Sequence, residues 1–200
     1  MHNTIQHFRA NIERTRALGG LYEALSRLTT SAIDVTDLLR AQIVLAVSAL
    51  DHYIHEITRL GMLEVLSQSR PQTNTFQNFH VTMNAAISGV SGGAGTSWFD
   101  DEIRQKHSYM SFQQPDKIAD AIRLFSSCKL WPEVAPKLSM SVEDLKTRLK
   151  LIVDRRNKIA HEADLDPTYP GVRWPIFPAD VTNAINFIES LCEAIHSVVV

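Results

Sequence analysis

DVTDLLRAQIVLAVSALDHYIHEITRLGMLEVL, residues 34–66, decides how the rest of the chain is read. It is dense in Leu, Ile, Val and Ala, contains no proline, and carries a single glycine, Gly61, as a point where a helix could kink. Asp34 or Thr36 is placed to open it. A segment of this kind is the central buried helix of an all-α fold, and its neighbours have to supply the surfaces that cover it.

Working outward, Ile5, Phe8, Ile12, Leu18, Leu21, Tyr22, Leu25 and Leu28 recur at three and four, which predicts a first helix capped by Asn3 or Thr4 and bent or divided at Gly19-Gly20. Beyond Arg70-Pro71, a weaker helical pattern runs from Thr75 to Ser88 through Phe76, Phe79, Met83 and Ile87. Trp98 to Phe112 and Pro115 to Leu130 each show helical spacing, the second with proline in the first turn and ended by Trp131-Pro132. Ser141-Val-Glu-Asp144 resembles a capping box and starts a helix of about 141–161 whose apolar face is Leu145, Leu149, Ile152, Val153 and Ile159. The proline-rich stretch from Asp164 to Pro178 reads as an ordered loop, and a last helix follows over about 179–199. Strand patterns and internal repeats are absent, so the expectation is one all-α bundle of about six to seven helices over residues 1–200.

Composition narrows the function classes. A formal charge of -2 and a pI near 6.4 give no global attraction to nucleic acid, so any such contact has to come from a local basic face. One exists between Ser141 and Ala160, where Lys146, Arg148, Lys150, Arg155, Arg156 and Lys158 stand against Glu143, Asp144 and Asp154. The same pattern is equally that of a solvated helix laced with ion pairs. Cys128 and Cys192 lie in apolar stretches without companions at metal-ligand spacing and read as reduced core residues. With no apolar leader segment at residues 1–10 and no membrane-length apolar run, the cytoplasm is the expected compartment. The stretch GVSGGAGTS, Gly89 to Ser97, lacks the Lys-Ser/Thr step of a phosphate-binding loop.

The one polar cluster with a coherent chemical logic is DRRNKIAHE, Asp154 to Glu162. Asn157 and His161 are four apart and share a helix face, and Arg156 is one position around with an arm long enough to reach the same cleft. An imidazole moves protons near neutral pH, and a guanidinium forks onto phosphate oxygens while keeping its charge. Together they supply what cleavage of RNA by its own 2′-hydroxyl requires, namely proton transfer and stabilisation of the charge that builds on phosphorus. The competing account is a basic helix end favoured by the helix dipole alone.

RRNKIAHEAD, Arg155 to Asp164, resembles the R-x4-6-H signature of HEPN domains, with Arg156 and His161 in the signature positions and the polar Asn157 directly after the Arg. LAVSALDHYIHEITRLGMLE (45–64), SFQQPDKIADAIRL (111–124) and LKLIVDRRNKIAHEADLDP (149–167) resemble the RiboL-PSP-HEPN branch, so the likeness covers most of residues 40–200. It implies a helical bundle that dimerises, placing two copies of the motif across a cleft that cuts RNA without metal to a 2′,3′-cyclic phosphate and a 5′-hydroxyl. In that scheme His161 is the acid or base, Arg156 holds phosphate, and Asn157 orients one of them. Lys150 and Lys158 then bind the RNA backbone. Many members are toxins or phage-defence effectors, which implies an antitoxin or sensor partner, whereas others are catalytically silent and bind RNA, nucleotide or protein. A subgroup controlled by nucleotidylation has Tyr two residues after the His; this chain has Ala163 there.

A second tier of candidates comprises Arg155 and, in the central segment, Asp51 and His55, which share a face within the cluster Asp51, His52, Tyr53, His55 and Glu56. Asp51 either tunes a histidine near the cleft or forms a structural pair with it. HYIHE is not the H-E-x-x-H zinc motif and no third ligand can be named, so neither a metal nor a cofactor is expected. Trp98, Trp131 and Trp174 fit base stacking or, more commonly, core packing.

Overall fold

The apolar run at 34–66 folds as an uninterrupted helix, Asp37–Leu66, in a computed structural model that describes residues 1–30, 32–91 and 95–200. In chain order the helices are α1 (His2–Leu28), α2 (Asp37–Leu66), α3 (Asn74–Gln77), α4 (Met83–Ser91), α5 (Ser97–His107), α6 (Pro115–Arg123), α7 (Leu130–Val134), α8 (Val142–His161) and α9 (Pro178–Val199), with a 3-10 turn at Ala135–Leu138. The fold is all-α. Among the described residues, seven of the α-helices have nine residues or more, and the only β pairing is an isolated bridge between Leu165 and Arg173.

On α2 the buried residues Leu39, Ile43, Val47, Leu50, Ile54 and Ile57 recur at steps of three and four. That stripe is covered by α1, α8 and α9, which bring Ile5, Phe8 and Ile12, then Leu145, Leu149 and Val153, then Ile185, Ile188, Leu191 and Ile195. Burial of one such aliphatic side chain contributes about 1.5–3 kcal/mol, so the four-helix contact is the main source of cohesion. Gly61 serves close packing and leaves α2 unbroken: a Cβ there would lie 2.2 Å from Cδ2 of Phe125. Gly19 acts in the same way, since a Cβ would meet Gln42 Nε2 at 2.9 Å, and that buried amide donates to the Thr15 carbonyl at 3.0 Å. The Gly19-Gly20 pair therefore neither divides α1 nor ends it.

Several boundaries differ from the sequence reading, each for a local reason. α1 starts at His2 with Met1 as its cap, and neither Asn3 nor Thr4 caps it. The pattern at 75–88 is two helices, because Thr82 is drawn out of helical pairing by Glu102, whose carboxylate accepts from the Thr82 N–H (2.8 Å) and hydroxyl (3.0 Å). Thr82 in turn caps α4 by accepting from the Ala85 N–H. The helix expected over 115–130 stops at Arg123, where the Thr73 hydroxyl donates to the Arg123 carbonyl at 2.8 Å. Pro132 ends nothing: it sits in the first turn of α7, where a missing N–H is tolerated. The helix expected over 98–112 ends at His107. Of the glycine-rich stretch 89–97, Gly89–Ser91 close α4, and residues 92–94 lie outside the described residues. No helix among the described residues is long and apolar enough to cross a membrane.

Candidate active site

Helix α8 carries the Arg156–His161 pair and is well defined at both ends. The Ser141 hydroxyl accepts the Asp144 N–H at 3.0 Å and so closes the first turn, as the capping pattern predicts. Leu145, Leu149 and Val153 bury one face. Lys150, Asp154, Asn157 and His161 follow one another at steps of four, three and four and form a second stripe. Lys150 and His161 are exposed on it, while Asp154 and Asn157 are half-buried.

Arg156 follows Leu149 and Val153 at steps of four and three, so it leaves α8 on the buried face and not on this stripe, and it is half-buried. Its Nη1 donates to the Asn157 side-chain oxygen at 2.9 Å, which turns the guanidinium toward the stripe that ends in His161. Its Nε is buried and has no hydrogen-bond partner among the described residues. The side chain of His161, the last residue of α8, makes no hydrogen bond or ion pair among them. Six buried side-chain polar atoms of the described chain lack a partner, and three of these, Arg156 Nε, Asp164 Oδ1 and Trp174 Nε1, surround this one helix end. Unsatisfied buried groups are uncommon in folded proteins, so these three atoms at one end of the helix and in the loop after it need an account.

The loop after α8 returns across the start of α2. Asp164 is fully buried, and its Oδ2 accepts from Arg40 Nε (2.7 Å) and Arg155 Nη2 (2.8 Å). Arg40 also donates to the Trp174 carbonyl at 2.9 Å, and Arg155 to the Pro175 carbonyl at 3.1 Å. Arg173 reaches Asp34 at 2.8 Å and pairs with Asp37, tying the loop to the beginning of α2. Burial holds the Arg155 guanidinium below the usual arginine range; Asp164 opposes that shift and Arg40 adds to it. Removing one partner of such a pair leaves a buried charge uncompensated, at a cost of about 3–5 kcal/mol. Arg155, a second-tier candidate from the sequence, is therefore engaged in the scaffold. Lys158 lies over the Trp174 ring, 5.2 Å from its centroid.

Asp51 and His55 are placed elsewhere. Asp51 stands eleven residues beyond Arg40 on α2, about 16 Å along the axis at ~1.5 Å per residue, so the two candidates do not meet His161. Asp51 accepts from the Phe112 N–H at 2.6 Å and from the Gln113 side chain at 3.1 Å, anchoring the loop before α6. His55 Nε2 is 3.8 Å from the Asp51 carboxylate, and its ring packs on Phe112 at 4.4 Å. With His107 and Glu56 they line a separate cleft of about 310 Å³. Among the described residues no group of three or more His, Cys, Asp or Glu is arranged to hold a metal. Trp131 is a core residue, and Trp98 packs against Phe99. Cys192 is fully buried and Cys128 half-buried; both are free thiols with pKa raised by burial.

Sequence reasoning missed Arg40 and the role of Asp164, and it named Trp174 only as a stacking or packing residue. Arg40 left a trace, as a lone cation inside an apolar run next to Leu39 and Ile43, but its partner lies 124 residues away and no local pattern identifies it.

No curated protein and no solved structure matches the chain. A family model described as RiboL-PSP-HEPN does match it, over residues 9–200, which include all of α2 to α9, α1 from Arg9 onward and the whole Arg156–His161 region. With the all-helical architecture, this coverage establishes that the chain belongs to the RiboL-PSP-HEPN family of the HEPN superfamily.

Proposed function

We propose that the protein is a metal-independent endoribonuclease whose reacting groups are His161 and Arg156. The observation that carries this reading is the half-buried Arg156, turned by Asn157 toward the stripe of the exposed His161, with an unpartnered Nε at a helix end rich in unsatisfied polar atoms. HEPN membership supports an RNA-related role. In the reaction, the 2′-oxygen of a ribose attacks the adjacent phosphorus, a P–O2′ bond forms and the P–O5′ bond breaks. His161 takes the 2′-hydroxyl proton or delivers one to the departing 5′-oxygen, and Arg156 forks onto the non-bridging oxygens as negative charge accumulates. Asn157 holds the guanidinium in place, and Lys150 and Lys158 meet the flanking backbone. The products are a 2′,3′-cyclic phosphate and a 5′-hydroxyl.

Incubation of purified protein with total RNA in excess EDTA, followed by end-group analysis, tests the assignment. Cleavage with those two ends is the expected result. Loss of activity in EDTA that returns with magnesium or manganese contradicts it, and RNA binding without cleavage assigns the protein to the silent, RNA-binding members of the superfamily instead. An active nuclease in the cytoplasm has to be restrained, so the reading includes a toxin or phage-defence role and an antitoxin or sensor partner.

The functional unit in this proposal is a homodimer. Cleavage by a 2′-hydroxyl benefits from one group that accepts a proton and another that donates one, but the helix end offers one imidazole per chain. A two-fold axis beside α8 brings a second His161 and Arg156 opposite the first, as an isologous contact does. It also doubles the local basic charge on a chain of net charge -2. Sedimentation is expected to give about twice the 22.5 kDa chain mass. Addition of inactive His161→Ala protein to wild type should depress activity beyond dilution as subunits exchange. A monomer with full activity refutes the shared site.

A further inference from the structure

We infer that Asp164 is the positioning residue of this site, a buried carboxylate that fixes the end of α8 from which Arg156 and His161 project. The inference rests on the ribonuclease reading only for its catalytic consequence. Asp164 is bound to α8 at two points: its Oδ2 accepts from Arg155 at 2.8 Å, and its N–H donates to the Lys158 carbonyl at 3.0 Å. These points flank Arg156 and Asn157 in sequence. A third bond, from Arg40 Nε at 2.7 Å, comes from α2, and a fourth runs from the Trp174 N–H to the Asp164 carbonyl at 2.9 Å. The last turn of α8 is thereby held against the central helix and the returning loop at once.

The backbone shows that this placement is imposed. Ala163 and Asp164 have φ of 51° and 58°, two successive non-glycine residues in the left-handed region. A helix that only needed to stop would use glycine there, because a Cβ disfavours that conformation. Such conformations persist where the surroundings over-determine them, and here the surroundings are the Arg40–Asp164–Arg155 cluster. Without the clamp, the carbonyls of the final turn lose their fixed partners and the turn frays. Misplacing a reacting group by about 1 Å can lower a rate about a hundredfold. Asp164 itself does not touch RNA, since its side chain is fully buried and a carboxylate repels phosphate.

Asp164→Asn is the informative variant, because it keeps the shape and an acceptor oxygen, tolerates the left-handed backbone, and removes the charge that the two guanidinium groups share. It is expected to lower kcat about tenfold or more with KM for RNA changed less than about twofold. In the absence of RNA, the His161 imidazole resonances should broaden and move in chemical shift. Ala163→Gly relieves the backbone without touching the clamp and should raise the melting temperature while kcat and the His161 resonances stay as in wild type. If Asp164→Asn does not fold, the charge-balanced pair Arg40→Met with Asp164→Asn carries the same measurements. A folded variant with wild-type kcat and unmoved His161 resonances overturns the inference. Should wild-type protein leave RNA intact, the ribonuclease reading fails by itself, and the resonances of His161 still decide whether Asp164 positions it.

Discussion

His161→Ala is expected to lower RNA cleavage by about 10²- to 10⁴-fold, the range associated with loss of a proton-transfer group. The fold should be almost untouched, because His161 is exposed, ends α8 and its side chain makes no hydrogen bond or ion pair among the described residues. Single-turnover cleavage of end-labelled RNA, measured beside the circular dichroism spectrum and the melting temperature, separates the two effects. Arg156→Lys should be impaired nearly as strongly. An ammonium keeps the charge but cannot fork onto two phosphate oxygens, and it loses the planar contact to the Asn157 side chain. Retained cleavage in His161→Ala would falsify the assignment of the proton carrier. Wild-type rates in Arg156→Lys would reduce Arg156 to a packing role.

The parts of this molecule that the sequence discloses are those governed by short-range periodicity. The all-α class, the central segment ending at Leu66 and the Ser141 cap all depend on residues within one or two turns of each other, and they stand where the spacing puts them, whereas the last helix opens at Pro178, which the sequence reading leaves in the loop. The boundaries that moved are governed by partners from elsewhere. Glu102 reorganises Thr82 from 20 residues away, and Thr73 donates to the carbonyl of Arg123 from 50. Candidate residues divide in the same way. Asn157 and His161 share a stripe because helix geometry requires it, and Arg156 joins them through a bond to its neighbour. Asp51 and His55 pair at a distance from that end, since position along α2 is set by length and α2 is a 30-residue helix. Arg155 and Arg156 are adjacent and chemically identical, yet one is held by Asp164 and the other has a buried nitrogen to spare. The motif resemblance ranks Arg156 ahead of Arg155, and the tertiary fold supplies the physical difference between them.

The cleft around Asp51 and His55 leads to an expectation about stability in acid. His107 ends α5 with its ring wedged edge-on against Phe112 at 5.3 Å and beside Phe79 and His55 at 6.2 Å. It is 5% exposed, and its Nδ1 is buried without a partner. Burial pushes its pKa down from 6.5 to about 4, with smaller contributions in the same direction from His55 and Lys106. The charged groups that share the cleft are already engaged: Glu56 with Arg59 and Arg104, and Asp51 with the Phe112 N–H and the Gln113 side chain. Among the described residues of the cleft, no carboxylate is therefore free to compensate a charged His107. Because the folded state binds this proton more weakly than the unfolded chain, the contribution of His107 is fully present above pH ~6.5 and declines as the pH falls toward ~4. The whole effect is on the order of 3 kcal/mol, with about 2 kcal/mol of it lost by pH 5, a large share of the stability of a typical domain. His107→Phe preserves the aromatic packing against Phe79 and Phe112 and removes the titrating nitrogen. Urea unfolding of both proteins at pH 7 and pH 5 should show the wild type losing about 2 kcal/mol more than the variant between the two conditions. Equal losses would mean that the buried ring accommodates its proton in the folded state, and that the cleft beside it relaxes to solvate the charge.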